Sequence, residues 1–252
     1  MDMRLARRGA RTHTARMTIR ESSVLMIHGA GGGSWEWNIW RRVFEAAGYR
    51  VLAPDLEPAA DGLTATSFDH YREQLLRKLQ DEAAPLLVGA SLGGLLALSL
   101  AKPISARALV LVNPVPPSPL HERLPPREPY PAIIPWGRET SIASTRRAMP
   151  DADYAARLYA FRRWRDESGA VMNAVRAGIA VEPPGCPVQV QISAGDGDVP
   201  PEVSLELARR LEADVVRLPG SSHVGPLLGR QAASCAGLAV AWLNALAAGA
   251  AD

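Results

Sequence analysis

A serine set among glycines, a histidine in a late loop and two aspartates one residue apart have the types and order needed for nucleophilic chemistry. Gly89-Ala90-Ser91-Leu92-Gly93 fits the pattern G-x-S-x-G and is continued by Gly94. That pattern suits a sharp strand-to-helix reversal whose central residue takes a strained backbone, with glycines where a Cβ would meet the neighbouring chain. A serine hydroxyl is a weak nucleophile, so it needs a base, and the base needs an acid to orient it. The chain has five histidines. His13 lies in a basic N-terminal stretch, His70 among charged residues of an expected helix, and His121 in a proline-rich segment. His28 ends the first apolar run. His223 follows the last expected strand in Pro219-Gly220-Ser221-Ser222, at the carboxyl edge where open α/β sheets build their sites. For the acid, Asp196 and Asp198 both lie in the loop after the preceding strand, and either also suits an Asx turn or a cap before Pro201. The order Ser, Asp, His is the one that accompanies such an elbow.

These groups need a frame, and the hydrophobic pattern supplies one. Short aliphatic runs at 24–28, 50–54, 86–90, 108–113, 188–193 and 215–218 read as six strands. Helical periodicity falls between them at 37–47, 67–80, 92–101, 201–211 and 226–246, with Ser67 as the N-cap of the second helix. Strands alternating with helices predict a parallel sheet covered on both faces. Residues 114–135 break the rhythm, because nine of the 21 prolines fall there and exclude regular strand or helix. Helical patterns at 151–167 and 168–180 follow. The expected organisation is a core of 21–113 and 186–252, with 114–185 inserted as a cap. Its aromatics, Tyr130, Trp136, Tyr154, Tyr159, Phe161 and Trp164, favour a substrate-covering role. Trp35 and Trp136 are the side chains expected to contact substrate.

From residue 22 to about 247 the sequence resembles the α/β-hydrolase superfamily. The resemblance rests on His28-Gly29-Ala30-Gly31-Gly32-Gly33-Ser34-Trp35, on Pro54-Asp55, on Gly-Ala-Ser-Leu-Gly-Gly at the elbow, on Asp196 through Pro200, and on His223 ahead of a last helix. It implies a Ser91, Asp196, His223 triad, since the acid of that family precedes Val-Pro by the step that Asp196 keeps from Val199-Pro200. By position it also implies an oxyanion hole from the backbone N–H groups of Leu92 and Ala30, with His28 organising the loop and not acting as a base. Such donors are worth roughly 3–4 kcal/mol each in the transition state. Because only about 20 residues precede the His-Gly strand, the expected sheet lacks the family's N-terminal antiparallel strands and runs 2-1-3-4-5-6. Serine at the elbow sets the chain apart from members with Asp or Cys nucleophiles. Hydroxynitrile lyases with a similar short loop carry Thr where Gly29 stands and Lys where Val224 stands, so the departures here point away from lyase chemistry. The implied activity is hydrolysis of an ester, thioester or related carbonyl compound, with no metal or organic cofactor. Acyl transfer and C–C cleavage are alternatives within the superfamily.

Composition narrows the partners. The chain has 252 residues, 47% hydrophobic and 21% charged, which suits one α/β domain and excludes wholesale disorder. Its net charge is +2, yet residues 1–20 hold six arginines and one aspartate, so the remainder sums to −3. The expected partner is therefore a small molecule and not nucleic acid, and the first 20 residues read as a disordered basic extension. That stretch lacks the apolar core of a secretory signal. No run of about 18 uninterrupted apolar residues exists, so no membrane span is expected. Cys186 and Cys235 lie in no metal or disulfide pattern, which makes a reducing, cytoplasmic setting the default. Two other classes compete. Gly29 to Ser34 approximates a dinucleotide fingerprint but puts Ser34 at its third glycine and leaves Ser91 and His223 unexplained. A non-catalytic small-ligand receptor on the same fold would keep the triad intact.

Overall fold

The computed structural model describes residues 22–249. The basic extension expected at 1–20 lies outside the described residues. Six strands, β1 (Ser23–Ile27), β2 (Arg50–Leu52), β3 (Leu86–Ala90), β4 (Ala108–Val112), β7 (Val188–Ser193) and β8 (Asp214–Leu218), form one wholly parallel sheet in the order β2-β1-β3-β4-β7-β8. This is the expected order, with β7 and β8 as fifth and sixth strands.

The four central strands, β1, β3, β4 and β7, are buried at every position, mostly by aliphatic side chains, and the two-residue strand period divides those side chains between two cores, while the edge strand β8 is largely exposed. Leu25, Ile27, Leu87, Leu109, Val190 and Ile192 pack with helices α2 (Phe68–Leu79), α3 (Leu92–Ala101) and α7 (Pro201–Arg210). Val24, Met26, Val88 and Val110 pack on the other face with α1 (Asn38–Ala46) and α9 (Ala232–Gly249). Helix α3, which carries the elbow, is buried at every position except Ser99. Each of its leucines adds ~1.5–3 kcal/mol over an exposed one, so the platform beneath Ser91 is held by apolar area. Ser67 caps α2 by accepting the N–H of His70, as expected.

Three expectations need correction. The last helix does not run from 226 to 246. It divides into α8 (Gly225–Leu228) and α9, because Gly229 turns extended and a Cβ there would come within 2.7 Å of the Gly225 carbonyl. Helix α9 is also 18 residues long with no charged side chain, so among the described residues one helix is long and apolar enough to cross a membrane by length and composition. Cys235, Ala236, Ala239 and Leu243 on one side of it are buried in the core it shares with α1. Finally, the segment between β4 and β7 is more regular than its prolines suggest. Ile133–Ile134 (β5), in the short stretch between Pro131 and Pro135, pairs antiparallel with Glu167–Ser168 (β6). Three helices, α4 (Ile142–Ala148), α5 (Tyr154–Phe161) and α6 (Gly169–Ala177), replace the two expected. Helix α5 starts after its Asp153 cap and ends at Phe161, and α6 starts after its Ser168 cap and ends at Ala177 before Gly178, which stands at φ 101°, so both are shorter than expected, mainly at their C-terminal ends.

Candidate active site

The elbow is dictated by backbone crowding. A Cβ on Gly89 would lie 2.3 Å from the Gly93 carbonyl oxygen, and one on Gly93 would lie 2.0 Å from that of Ile27 in β1. Glycine at both positions lets α3 leave β3 while touching the neighbouring strand. Between them Ser91 is held at φ 53° and ψ −120°, which L residues rarely adopt. Its N–H donates to the Val112 carbonyl at 3.1 Å, and its own carbonyl accepts from Gly94 and Val115 at 3.0 Å each. The side chain thereby stands at the carboxyl edge of the sheet, beside the first turn of α3, whose N–H groups have no intrahelical acceptor.

Two loops bring the remaining groups to it. His223 Nε2 lies 2.9 Å from Ser91 Oγ, and His223 Nδ1 lies 2.8 Å from Asp196 Oδ2. With Nδ1–H donating to the carboxylate, Nε2 is left to accept from the serine. The other Asp196 oxygen accepts the N–H groups of Asp198 and Val199 at 2.9 Å each. One carboxylate therefore fills both roles that the sequence left open, closing its own turn and orienting the histidine. Asp198 is exposed and makes no such contact with His223. The loops are tied to each other by Gly195 N–H donating to Ser221 O at 2.9 Å. Burial opposes a charge on His223, but the hydrogen bond and charge of Asp196, helped by Asp198 and Glu36, outweigh it and hold the imidazole above its ordinary range.

The loop after β1 carries Ala30 into the cavity wall beside Ser91. His28 is a spacer there: Leu56 N–H donates to its Nε2 at 2.9 Å, and its Nδ1 lies 2.8 Å from Gly29 O. Accepting at one nitrogen and donating at the other requires the neutral ring, and burial lowers its pKa to about 4. Two buried carboxylates hold the same loop. Glu36 Oε2 accepts Gly29 N–H at 3.1 Å, and a Cβ on Gly32 would collide with that carboxyl at 2.4 Å. Burial pushes Glu36 up to about 8, partly offset by the Gly29 N–H and by His223. Glu167, in the inserted segment, accepts Gly31 N–H at 3.0 Å and Tyr71 OH at 2.8 Å. Gly31 itself sits at φ +68°, and a Cβ there would be 2.7 Å from the Trp136 ring.

Residues 114–185 roof the site. A cavity of about 340 Å³ is lined by Ser91, His223, Ala30 and Val199 below and by Leu124, Tyr130, Trp136, Trp164 and Met172 from the insert. Of the two tryptophans expected at substrate, Trp136 lines this cavity and Trp35 does not. Trp35 packs edge-on against Trp164 and Tyr159 at 5.1 and 5.9 Å between ring centroids, so it supports the wall from behind. Leu92 is buried as the first residue of α3.

Sequence reasoning missed four polar residues around the site. Besides Glu36 and Glu167 these are Asn113 and Asp151. Asn113 Nδ2 donates to the His223 carbonyl at 2.7 Å and its Oδ1 accepts Ser193 N–H at 2.8 Å. Asp151, from the insert, accepts Ser222 N–H at 3.1 Å and Ser222 OH at 2.6 Å. Asn113 alone left a signal, as a polar residue at the carboxyl end of a buried strand. Among the described residues, Asp196, Asp198 and His223 also bring ligand atoms within 4.8 Å of one another. The serine and the histidine already engage each other there, which is the grouping acyl-transfer chemistry requires.

Comparison with known proteins agrees with this architecture. The family model described as "Alpha/beta hydrolase family" matches residues 24–236. Methylesterase 3 of Arabidopsis thaliana is 40% identical over 86 residues, 30% of this chain and 32% of that protein. The 2-hydroxymuconate semialdehyde hydrolase of Pseudomonas sp. (strain CF600) is 34% identical over 137 residues, 50% of this chain and 46% of that protein. The chain thus spans a third to a half of the length of these curated relatives. Among solved structures, a methylesterase from Arabidopsis superposes with a TM-score of 0.67 at 16% identity, covering 87% of this chain and 98% of that one. A pyrethroid hydrolase from Sphingobium faniae JZ-2 gives 0.66 at 21% identity, covering 86% and 96%. By sheet order, elbow geometry and the match over 24–236, the chain belongs to the alpha/beta hydrolase family.

Proposed function

We propose that this chain is a serine hydrolase that cleaves an ester, thioester or related carbonyl substrate through an acyl-enzyme. The observation that carries the reading is the row from Ser91 Oγ through His223 to Asp196, at 2.9 and 2.8 Å, opening on a roofed cavity. In this reading His223 Nε2 takes the Ser91 proton as Oγ attacks the carbonyl carbon, and Asp196 holds the imidazole and then the imidazolium. The N–H groups of Leu92 and Ala30 receive the oxyanion. His223 passes its proton to the leaving alcohol or thiol, and a water, deprotonated by the same ring, releases the acid. Relatives called methylesterases and hydrolases support an ester as the starting probe.

Purified protein is expected to hydrolyse short p-nitrophenyl esters and to be labelled on Ser91 by a fluorophosphonate. Ser91→Ala should lose both, with a fall in kcat of ~10⁴-fold or more. Turnover unchanged in that variant would overturn the assignment.

A further inference from the structure

We infer that the substrate carries a carboxylate, remote from the scissile carbonyl and seated on Arg127 and Arg176. This deepens the ester-hydrolase reading above and rests on it.

Both arginines line the cavity that contains Ser91 and His223. They are neighbours by construction. Asn173 on α6 holds the strap before β5 from both sides, accepting Tyr130 N–H at 2.8 Å and donating to Tyr130 O at 3.0 Å. One turn further along α6, Arg176 donates to the Pro125 carbonyl of the same strap. Arg127 lies between those two points, with its Nη1 2.9 Å from Tyr130 OH and its guanidinium over the Tyr130 ring. Every partner of the pair is neutral. Among the described residues neither guanidinium has a carboxylate within ion-pair distance. Each offers five N–H donors in a planar fork that matches a carboxylate.

Three other arginines of the insert are engaged away from the cavity. Arg138 pairs with Asp166, Arg165 pairs with Asp55 and Glu57, and Arg163 stacks on Tyr159. None of those three lines the cavity. Arg127, exposed, and Arg176, half-buried, therefore line the reaction space without a counterion among the described residues.

The charges of the wall fix the direction of the ligand. Val115, Leu124, Trp136, Met172 and Val175 are apolar, Thr140, Ser144 and Thr145 are polar but neutral, and the one acid in the lining, Asp198, belongs to the loop of Asp196. An anion close to Ser91 would meet Asp198, so the charge belongs at the arginine end with an apolar linker between. The chemical class is the half-ester of a dicarboxylic acid, or an ester whose alcohol bears an acid. Hydrolysis of such a half-ester adds water across the acyl–oxygen bond and releases the diacid and the alcohol.

The test compares two esters with the same leaving group, mono-p-nitrophenyl glutarate and p-nitrophenyl pentanoate, which differ by a terminal carboxylate in place of a methyl. The native protein should favour the glutarate in kcat/KM by tenfold or more, chiefly through KM, and added salt should reduce that preference. Arg127→Gln and Arg176→Lys should each lower the ratio several-fold, and the double variant should bring it near one. Because both esters are read on the same preparation, loss of folded protein cancels from the ratio. A native ratio of one or less, with pentanoate still hydrolysed, would overturn the carboxylate site and leave the hydrolase reading standing. A high ratio that survives in the double variant would also overturn it, by putting recognition elsewhere. Failure on both esters, with Ser91 unlabelled by fluorophosphonate, would overturn the hydrolase reading and this inference with it.

Discussion

The floor and the roof of the cavity are positioned by different forces. Below, the turn at Ser91 is fixed by contact between main chains: β1, β3 and α3 approach so closely that only glycine fits at 89 and 93. Above, residues 114–185 are tied to the core loops chiefly by single side chains reaching loop amides, Glu167 on Gly31 and Asp151 on Ser222, with one main-chain bond from Arg165 N–H to Gly31 O at 2.8 Å beside them. Crowding of main chains admits no gradual loss, whereas a side-chain tie can be removed alone. The floor should therefore fail by unfolding and the roof by loss of alignment.

The sharpest way to break that contrast is Gly93→Ala. Its methyl would lie 2.0 Å from the Ile27 carbonyl oxygen and 2.5 Å from that of His28, both main-chain atoms, with no flexible side chain to yield. A destabilisation above ~4 kcal/mol is expected, beyond the usual range for one substitution. Chemical denaturation or soluble yield reads it, and a stable, folded Gly93→Ala would show that the elbow can move.

Next in size is Asp196→Asn, for which kcat is expected to fall ~10³–10⁴-fold because the amide no longer holds the required tautomer or balances the imidazolium. The native acid limb of kcat/KM should lie above the ordinary histidine value of 6.5, because His223 is raised, and should move down in the variant. Asp198→Asn should stay within a few-fold and move the limb only slightly. Equal, small losses in both would mean that neither aspartate orients His223.

Asp151→Ala tests the roof. It strips the Ser222 N–H and OH of their acceptor, next to His223 in sequence. An exposed surface aspartate would give nothing measurable; here a fall in kcat of ~10-fold is expected, with the fold kept and partial recovery in Asp151→Asn, which retains one acceptor oxygen. Loss of Tm in proportion to activity would instead assign Asp151 a purely structural part.

The same division explains what could be read from the sequence. The strands, the elbow and the His223 loop were legible because each imposes a pattern within a few residues: an aliphatic run, a glycine spacing, a loop after a strand. Asp196 against Asp198 was half legible, since the local turn chemistry that made both plausible is served by one carboxylate. Glu36, Asp151 and Glu167 were not legible at all. Asp151 and Glu167 meet partners 71 and 136 positions away, and one acid with a distant partner leaves no periodicity. Trp35 misled for a related reason: it belongs to the loop motif, yet it is Trp164, from the insert, that reaches the cavity.

The smallest effect expected lies on the floor side alone, at Glu36 beneath the Ala30 loop. Its carboxyl is pushed up to about 8 by burial, against 4.5 ordinarily. Between those values the folded protein keeps a proton that the unfolded chain has released, so the contribution of this group to stability falls as pH rises through that window and is flat above it. Glu36→Gln mimics the protonated form and can still accept the Gly29 N–H, so denaturation at pH 5, 7 and 9 should show a smaller fall than in the native protein. Comparing the two proteins at each pH removes the separate terms from His28, held near 4, and His223, held high. The same proton matters to rate. Above about 8 a bare carboxylate would face the loop to which the proposed mechanism assigns the oxyanion, so native kcat/KM should decline there while Glu36→Gln holds its rate. An identical alkaline decline in both would remove Glu36 from the chemistry and leave it as a brace for Gly29.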